Sequence, residues 1–206
     1  MSKELIQKAR KLAQEIVAPI TESVDKEGRF PKEAYDALKK QGFMGLLVPK
    51  EFGGLGFSII EHTGVCYELA RKDATTGLCY MMHNTGTSGI ISFGSASMKD
   101  EFLPKIAKGE RAIALAYSES GSGTHFGSPD ISESLENGAR VLNGRKSFVT
   151  SALQADFYMT NTNSCKIKGA HNTWLVDRTL PNMIHEDSAW DGLGMRGNAS
   201  MPVWYN

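Results

Sequence analysis

The chain has 206 residues, which is enough for one large domain or two small ones, since a domain usually takes about 100–200 residues. Lysine plus arginine and aspartate plus glutamate are equal at 23 each, so no net basic charge is present to attract nucleic acid or an anionic membrane surface. The 3 cysteines lie far apart without a CxxC pair, which argues against a disulfide framework or a zinc cluster and fits a reducing, cytoplasmic setting.

The N-terminal segment alternates charged and apolar residues (MSKELIQKARKLAQEI). It contains neither the apolar stretch of a signal peptide nor the run of about 20 apolar residues needed to span a bilayer, so we expect no export and no membrane span. Apolar positions from Lys3 to Ile20 recur at helical spacing, which predicts an amphipathic helix that Pro19 kinks or ends.

Helical patterns continue to about residue 108. A second helix is predicted to begin at Pro31 and to end at Gly42, a favoured C-terminal cap residue. Glycines between residues 42 and 56 predict a loop rather than a continuous element. Further helices are predicted over 58–72, 75–92 and 99–108, and Pro104 is expected to interrupt the last of them.

After Gly109 the sequence changes to β-branched and small residues with a period of two. Asn137-Gly138 and Asn143-Gly144 are hairpin signals between these strand patterns. We therefore predict an α+β protein, with an all-α domain over residues 1–110 followed by an antiparallel, barrel-like β domain over 111–206. The strands are predicted over 113–118, 141–142, 147–150, 157–160 and 173–176.

A strand pattern runs into a loop of Ser, Gly and Thr in the sequence ALAYSESGSGTH, residues 114–125. Such a loop lets backbone N–H groups and hydroxyls approach a flat or anionic ligand. An ordinary surface turn has the same composition, because Ser/Gly loops are common at strand ends. Composition alone leaves both interpretations open.

The loop resembles the middle domain of the acyl-CoA dehydrogenase family, whose pattern has Ser or Thr, Glu, two residues, a small residue, Gly, Ser or Thr, and Asp. Ser118, Glu119 and Gly123 match that pattern, whereas His125 replaces the Asp. The stretch VLNGRKSFVT, residues 141–150, resembles the family's LNGxKxWIT hairpin, with Phe148 where Trp is common. In the helical half, PKEFGG (49–54) and ELARKDA (68–74) also resemble the family.

The string GLGMRG, residues 192–197, matches the GxGxxG of dinucleotide-binding folds, but no room remains for the helix and acidic residue that this fingerprint requires. We interpret the match as false. The stretch is similar to the family's GMRGS turn before a β strand, with Asn198 in place of Ser, and Arg196 is expected to make a structural contact.

The resemblance implies FAD as the cofactor, with the strands on either side of the loop forming a wall against the flavin. Plain strand alternation would also explain Phe148 and Thr150, but the paired motifs favour the wall. Thr124 and His125 are the expected substrate-binding residues, and no metal site is expected. The expected cofactor-binding residues are Leu115, Tyr117, Ser118, Gly123, Thr124, Phe148 and Thr150.

Family members oxidise an acyl-CoA thioester to the trans-2-enoyl-CoA, with a carboxylate removing the α-proton and the β-hydrogen leaving as hydride to the flavin. The family's catalytic Glu lies in a C-terminal four-helix domain that is absent here, so no residue of this chain is assigned as the base, and Glu119 is expected to be structural. The chain is expected to be a truncated or split part of an enzyme, weak or inactive alone. Expected partners are an electron-transfer flavoprotein, further copies of the chain in a homo-oligomer, or a protein that supplies the missing domain.

Two alternatives remain open. Flavin monooxygenases built on the same fold place a histidine on the helix that corresponds to the one carrying His83, where it serves in proton transfer. A lone histidine in a helix is more often a packed residue. A non-catalytic binding or assembly subunit is the alternative outside enzymes.

Overall fold

The computed structural model describes residues 1–125, 127–186 and 190–206. The chain forms two compact units. The helical unit comprises Met1–Ile113 and Trp190–Asn198, and the β unit comprises Ala114–Ala189 and Ala199–Asn206. The two-domain division at residue 110 stays a prediction, and by compactness the segment Trp190–Asn198 groups with the helices rather than with the strands around it.

The α-helices of the helical unit follow the predicted apolar periodicity. The long N-terminal pattern forms α1, a wider turn over Ala13–Val17, a tight turn over Ala18–Ile20 that contains Pro19, and then α2. The helices are α1 (Lys3–Leu12), α2 (Thr21–Glu27), α3 (Lys32–Lys40), α4 (Ile59–Ala70), α5 (Ala74–Phe93) and α6 (Ala96–Ala107).

Side-chain caps begin the later helices. The Ser58 hydroxyl accepts from the Ile60 N–H at the start of α4, and an Asp73 carboxylate oxygen accepts from the Thr76 N–H 2.8 Å away at the start of α5. Pro104 lies inside α6, so the predicted interruption is wrong. The Ser95 cap and the burial of Leu103 and Ile106 stabilise this helix despite the missing N–H.

The core of the helical unit is apolar and draws on α1, α3, α4 and α5. Between α3 and α4 the chain makes short tight turns at Phe43–Gly45 and Lys50–Phe52, which confirms the loop predicted there. The loop is not peripheral, because Met44, Leu46 and Val48 are fully buried. The segment Trp190–Asn198 adds an ion pair between Arg196 and Asp25 at 2.9 Å, the structural contact expected of Arg196.

The β unit is a mixed sheet in the order β1-β4-β2-β3-β7-β6, with β5 paired to β4. The α+β class is confirmed, but one contact between strands is parallel, Ser132 of β2 with Asn163 of β4. Because β5 pairs with β4 from Phe157 to Asn163, β1 and β2 share the other edge of β4. The strands are β1 (Ile113–Ala116), β2 (Ser132–Glu136), β3 (Ala139–Val149), β4 (Phe157–Asn163), β5 (His171–Asp177), β6 (Ile184–His185) and β7 (Met201–Tyr205).

Only one of the two predicted hairpins forms. Asn137 and Gly138 both have positive φ, 50° and 83°, and join β2 to β3, as predicted. Asn143-Gly144 lies inside β3, so the hairpin predicted there is wrong. At this point β3 changes its partner from β2 to β7, and a Cβ on Gly144 would lie 2.3 Å from the Ile131 side chain. This glycine serves close packing rather than a turn.

No helix within the described ranges is both long and apolar enough to cross a membrane. No group of His, Cys, Asp and Glu side chains within them could hold a metal ion.

Candidate functional site

The predicted site residues around β3 belong to the β unit, and a backbone hydrogen bond holds two of their segments together. The Ser147 N–H in β3 donates to the Ser118 carbonyl 2.8 Å away, just beyond the end of β1. This bond places Tyr117 and Ser118 beside Ser147 and Phe148. These residues of the two motifs, 29 to 31 positions apart in the sequence, thus form one continuous edge.

A bulge in β3 shapes this edge. Lys146 pairs with Val203 and Val149 pairs with Met201, so three residue steps on β3 oppose two on β7. Bulges re-aim side chains and are frequent next to functional sites. Here the bulge lies at Ser147 and Phe148, and the Phe148 side chain is 54% exposed whereas Lys146 and Val149 on either side are buried. An exposed aromatic ring on a rigid strand is suited to covering a flat ligand.

Beyond Ser118 the chain forms a segment that we call the Ser/Gly loop, residues 117–125 and 127–131. The buried Glu119 carboxylate fastens the loop, because its Oε2 accepts from the N–H groups of Ile131, at 3.2 Å, and of Asp130. Its Oε1 accepts from the ammonium of Lys146. Both carboxylate oxygens are therefore engaged, which confirms the structural role expected of Glu119.

Lys146 is fully buried. Its Nζ donates to the backbone carbonyl and to Oδ1 of Asn161, both at 2.8 Å, and to Glu119. Burial lowers the pKa of the Lys146 ammonium, and the hydrogen bond and charge of Glu119 oppose that shift. A buried ammonium is stable only with such a complete set of acceptors.

Hydroxyl groups collect at the end of β3. The Thr150 and Ser200 hydroxyls lie 3.1 Å apart, and both residues are buried. The buried Oγ atoms of Ser147 and Ser151 have no hydrogen-bond partner among the described residues. A buried hydroxyl without a partner costs about 1–3 kcal/mol, so such groups call for an explanation. Both Oγ atoms lie inside the β unit and are inaccessible from its surface, so they are not contacts for a surface-bound ligand.

These features fit a flavin, whose isoalloxazine ring has a flat apolar face and an edge of carbonyl and N–H groups. Phe148 offers the ring-sized apolar surface, and Ser118 and Thr150 offer hydroxyls beside it. Leu115 is half-buried in β1, and the Tyr117 hydroxyl lies 3.4 Å from Thr173 on β5. The residues predicted for the wall are therefore compatible with the implied cofactor.

The residues predicted to bind the substrate, and Gly123 beside them, lie elsewhere in the loop. Gly123, Thr124 and His125 are exposed, and the backbone of His125 bonds to Ser122 and Ser128, both 2.8 Å away, rather than to β3. Their assignment to cofactor and substrate stays a prediction.

His83 in α5 of the helical unit is fully buried. Its Nδ1 accepts from the Ile113 N–H at 3.2 Å, so the proton lies on Nε2, which donates to the Met44 carbonyl at 3.0 Å. Both ring nitrogens bond to the backbone. Proton transfer by His83 would break one of these bonds, so the geometry favours the packed histidine over the proton-transfer residue.

Sequence reasoning missed Lys146, Ser147 and Ser151. The missed signal was a charged lysine at an inward position of a strand, between Gly144 and Phe148. A strand lysine is usually solvated. The burial of Lys146 becomes visible only in the tertiary structure, where Glu119 and Asn161 accept its hydrogen bonds.

A sequence profile described as "Acyl-CoA dehydrogenase, N-terminal domain" matches residues 2–110, and one described as "Acyl-CoA dehydrogenase, middle domain" matches residues 114–206. An acyl-CoA dehydrogenase of Bacillus subtilis is 31% identical over 84% of this chain and 46% of its own length. A 3-(aryl)acrylate reductase of Clostridium sporogenes is 32% identical over 84% of this chain and 47% of its own length. The chain thus spans about half the length of the curated relatives it matches.

Solved structures share the fold. The butyryl-CoA dehydrogenase of Megasphaera elsdenii superposes with a TM-score of 0.92 over 100% of this chain and 56% of its own, at 22% sequence identity. At that identity the match bears on the fold alone.

Proposed function

The chain belongs to the acyl-CoA dehydrogenase family, and on that premise we propose that it supplies the flavin wall of an FAD-dependent enzyme that oxidises an acyl-CoA thioester to the trans-2-enoyl-CoA. The observation that carries the proposal is the hydrogen bond from the Ser147 N–H to the Ser118 carbonyl. It joins the two motifs for which the resemblance implies flavin contacts.

The proposed roles follow from the side chains along that edge. Phe148 covers one face of the flavin ring, and the Thr150 and Ser118 hydroxyls bond its polar edge. Bound flavin supplies the two-electron acceptor for the oxidation. The residues of the chain bind it, orient it and exclude water from its covered face.

The proton-abstracting base is not assigned within this chain. Both oxygens of Glu119 are occupied by Lys146 and the backbone, so this carboxylate is unsuited to accept an α-proton. Activity is therefore proposed to need further residues, from the same protein or from a partner. The same proposal includes an electron-transfer flavoprotein as the electron acceptor and assembly of the protein into a homo-oligomer.

The direction of the reaction is part of the test, because a relative carries the name of a reductase. The monooxygenase alternative loses support, since both nitrogens of His83 bond to the backbone. The non-catalytic alternative makes a simple prediction: the chain binds no flavin, alone or with partners.

The first experiment titrates the chain with FAD and follows flavin fluorescence and visible absorption. Phe148→Ala should weaken FAD binding about tenfold, because it removes an aromatic contact worth about 0.5–1.5 kcal/mol beyond area burial. Leu135→Ala is the matched control, since Leu135 is a similarly exposed apolar residue of the β unit and lies in β2. Equal affinities of the two variants would contradict the proposed wall.

The second experiment adds acyl-CoA or enoyl-CoA anaerobically to the flavin-loaded protein, in the presence and absence of the further residues or partner that the proposal requires. Bleaching by acyl-CoA or reoxidation of reduced flavin by enoyl-CoA supports the proposed acyl-CoA chemistry, and the relative rates of the two give the favoured direction. Oxygen consumption by the reduced form without a response to either thioester would favour the monooxygenase. Absence of flavin binding, with or without added partners, would favour the non-catalytic subunit.

A further inference from the structure

The two ends of the Ser/Gly loop are fastened to the sheet by different strands. At its far end the Asn163 N–H of β4 donates to the Ile131 carbonyl at 2.9 Å, and the Asn163 side-chain amide donates to the Pro129 carbonyl at 2.6 Å. At its near end the Ser118 carbonyl accepts from Ser147 of β3. Glu119 bonds to the far end through the N–H groups of Asp130 and Ile131.

Lys146 connects this closed loop to the strand that carries the bulge. Its ammonium bonds to Glu119 and lies 3.4 Å from the carbonyl oxygen of Tyr117, while Ser147 and Phe148 follow it directly in β3. The pair is almost completely desolvated, with side chains 0% and 3% exposed. Replacement of a buried ion pair by apolar residues of similar volume is often neutral or stabilising. The charges are therefore not needed to fill the core.

We propose that Lys146 and Glu119 are positioning residues, whose ion pair holds the Ser/Gly loop against the β3 bulge before any ligand binds. The loop is thereby preformed, so that flavin binding does not have to order it. Preorganisation of this kind raises affinity because the ordering cost is met on folding. The identity of the ligand rests on the proposed function, but the preformed loop does not.

The test is the double variant Lys146→Met and Glu119→Leu, which removes both charges and keeps the approximate volume. The adjacent surface pair supplies the matched control, Arg145→Met and Glu186→Leu, because Arg145 precedes Lys146 in β3 and pairs with Glu186 at 2.9 Å. Hydrogen exchange is measured without flavin for amides of the Ser/Gly loop and of β4. Urea unfolding reports global stability, and FAD titration reports the site.

We expect exchange of the Ser/Gly loop amides to accelerate at least tenfold more than that of the β4 amides in the double variant, and FAD affinity to fall at least tenfold. The control should change neither the loop nor the affinity. Loop exchange equal to wild type in the double variant would overturn the proposal, because an ion pair that only filled the core would be replaced without effect. If the double variant does not fold, the single variant Glu119→Gln replaces it. The amides of the Ser/Gly loop should then exchange severalfold faster than in wild type, and an unchanged rate would overturn the proposal.

The exchange measurement separates this inference from the proposed function. Fast loop exchange in the variant, together with a wild-type chain that binds no FAD, would contradict the flavin site and leave the positioning role supported. Loop exchange that is unchanged in the double variant, together with FAD binding by the wild-type chain, would contradict the positioning role and leave the flavin site supported.

Discussion

The helical unit and the β unit bury polar side chains in different ways. In the helical unit, Asn84 donates to the Tyr80 carbonyl at 3.1 Å and Thr87 donates to the His83 carbonyl at 2.9 Å, both within a single helix, and the buried Glu68 carboxylate pairs with Arg10, whose side chain is half-exposed. In the β unit, Lys146 brings a full charge into the interior and requires acceptors from the Ser/Gly loop and from β4. Local bonds complete a helix, whereas long-range bonds fix a loop in one position.

The largest expected effect removes one half of the buried pair. Lys146→Met should lower the free energy of unfolding by about 3–5 kcal/mol, because it leaves the Glu119 carboxylate buried without its cation. Urea unfolding measures the loss. Arg145→Met is the control at the preceding position of β3, where loss of the partly exposed ion pair with Glu186 should lower the free energy of unfolding much less. Similar losses in the two variants would remove the distinction between the buried and the surface pair.

Truncation of a buried apolar side chain in the helical unit should lower the free energy of unfolding somewhat less. Leu38→Ala removes a fully buried side chain from the core of α1, α3, α4 and α5, at an expected loss of about 3 kcal/mol. Leu55→Ala, at a partly exposed position of the same unit, should cost far less. The same urea titrations compare the two. A Leu38→Ala loss larger than that of Lys146→Met would reverse the ranking of the two units.

A stabilising change is expected at the candidate site. Ser151 combines a positive φ of 62° with a buried hydroxyl that has no partner among the described residues. Ser151→Gly should raise the free energy of unfolding by about 0.5–1 kcal/mol, because glycine adopts this conformation without strain. FAD affinity should stay that of wild type, because the buried hydroxyl is not a contact for a surface-bound ligand. A destabilised variant would contradict the expected relief of strain.

The smallest effect depends on pH and belongs to the helical unit. The hydrogen bond from Arg10 lowers the pKa of Glu68 from its ordinary 4.5, and burial opposes this shift. A carboxylate with a lowered folded-state pKa stabilises the protein above its unfolded pKa, and that contribution is lost as the pH falls through the folded value. The stability difference between wild type and Glu68→Gln should therefore be greatest near pH 7 and shrink below about pH 4.5. A difference that stays constant down to pH 3 would contradict this linkage.

Sequence patterns predicted the elements whose signals are local. The apolar periodicity of α1 and the Asn137-Gly138 turn depend on neighbours within a few residues, and both appear in the structure. The strand β2 was missed because its sequence SESLE is polar and lies largely exposed at the pairing with β3. The wrong hairpin at Asn143-Gly144 has a different cause, because a glycine that close packing against Ile131 requires looks identical in the sequence to one that a turn requires.

By itself the sequence determined the class of fold, the two kinds of secondary structure and the motifs that mark the candidate site, because these depend on periodicity and on short patterns. Only the tertiary structure decided what surrounds each side chain. It buried Lys146 against Glu119 and Asn161, enclosed both nitrogens of His83, exposed Phe148 at a bulge and left the Ser147 and Ser151 hydroxyls without partners among the described residues. These outcomes depend on contacts between residues far apart in the chain, whose partners no local pattern specifies.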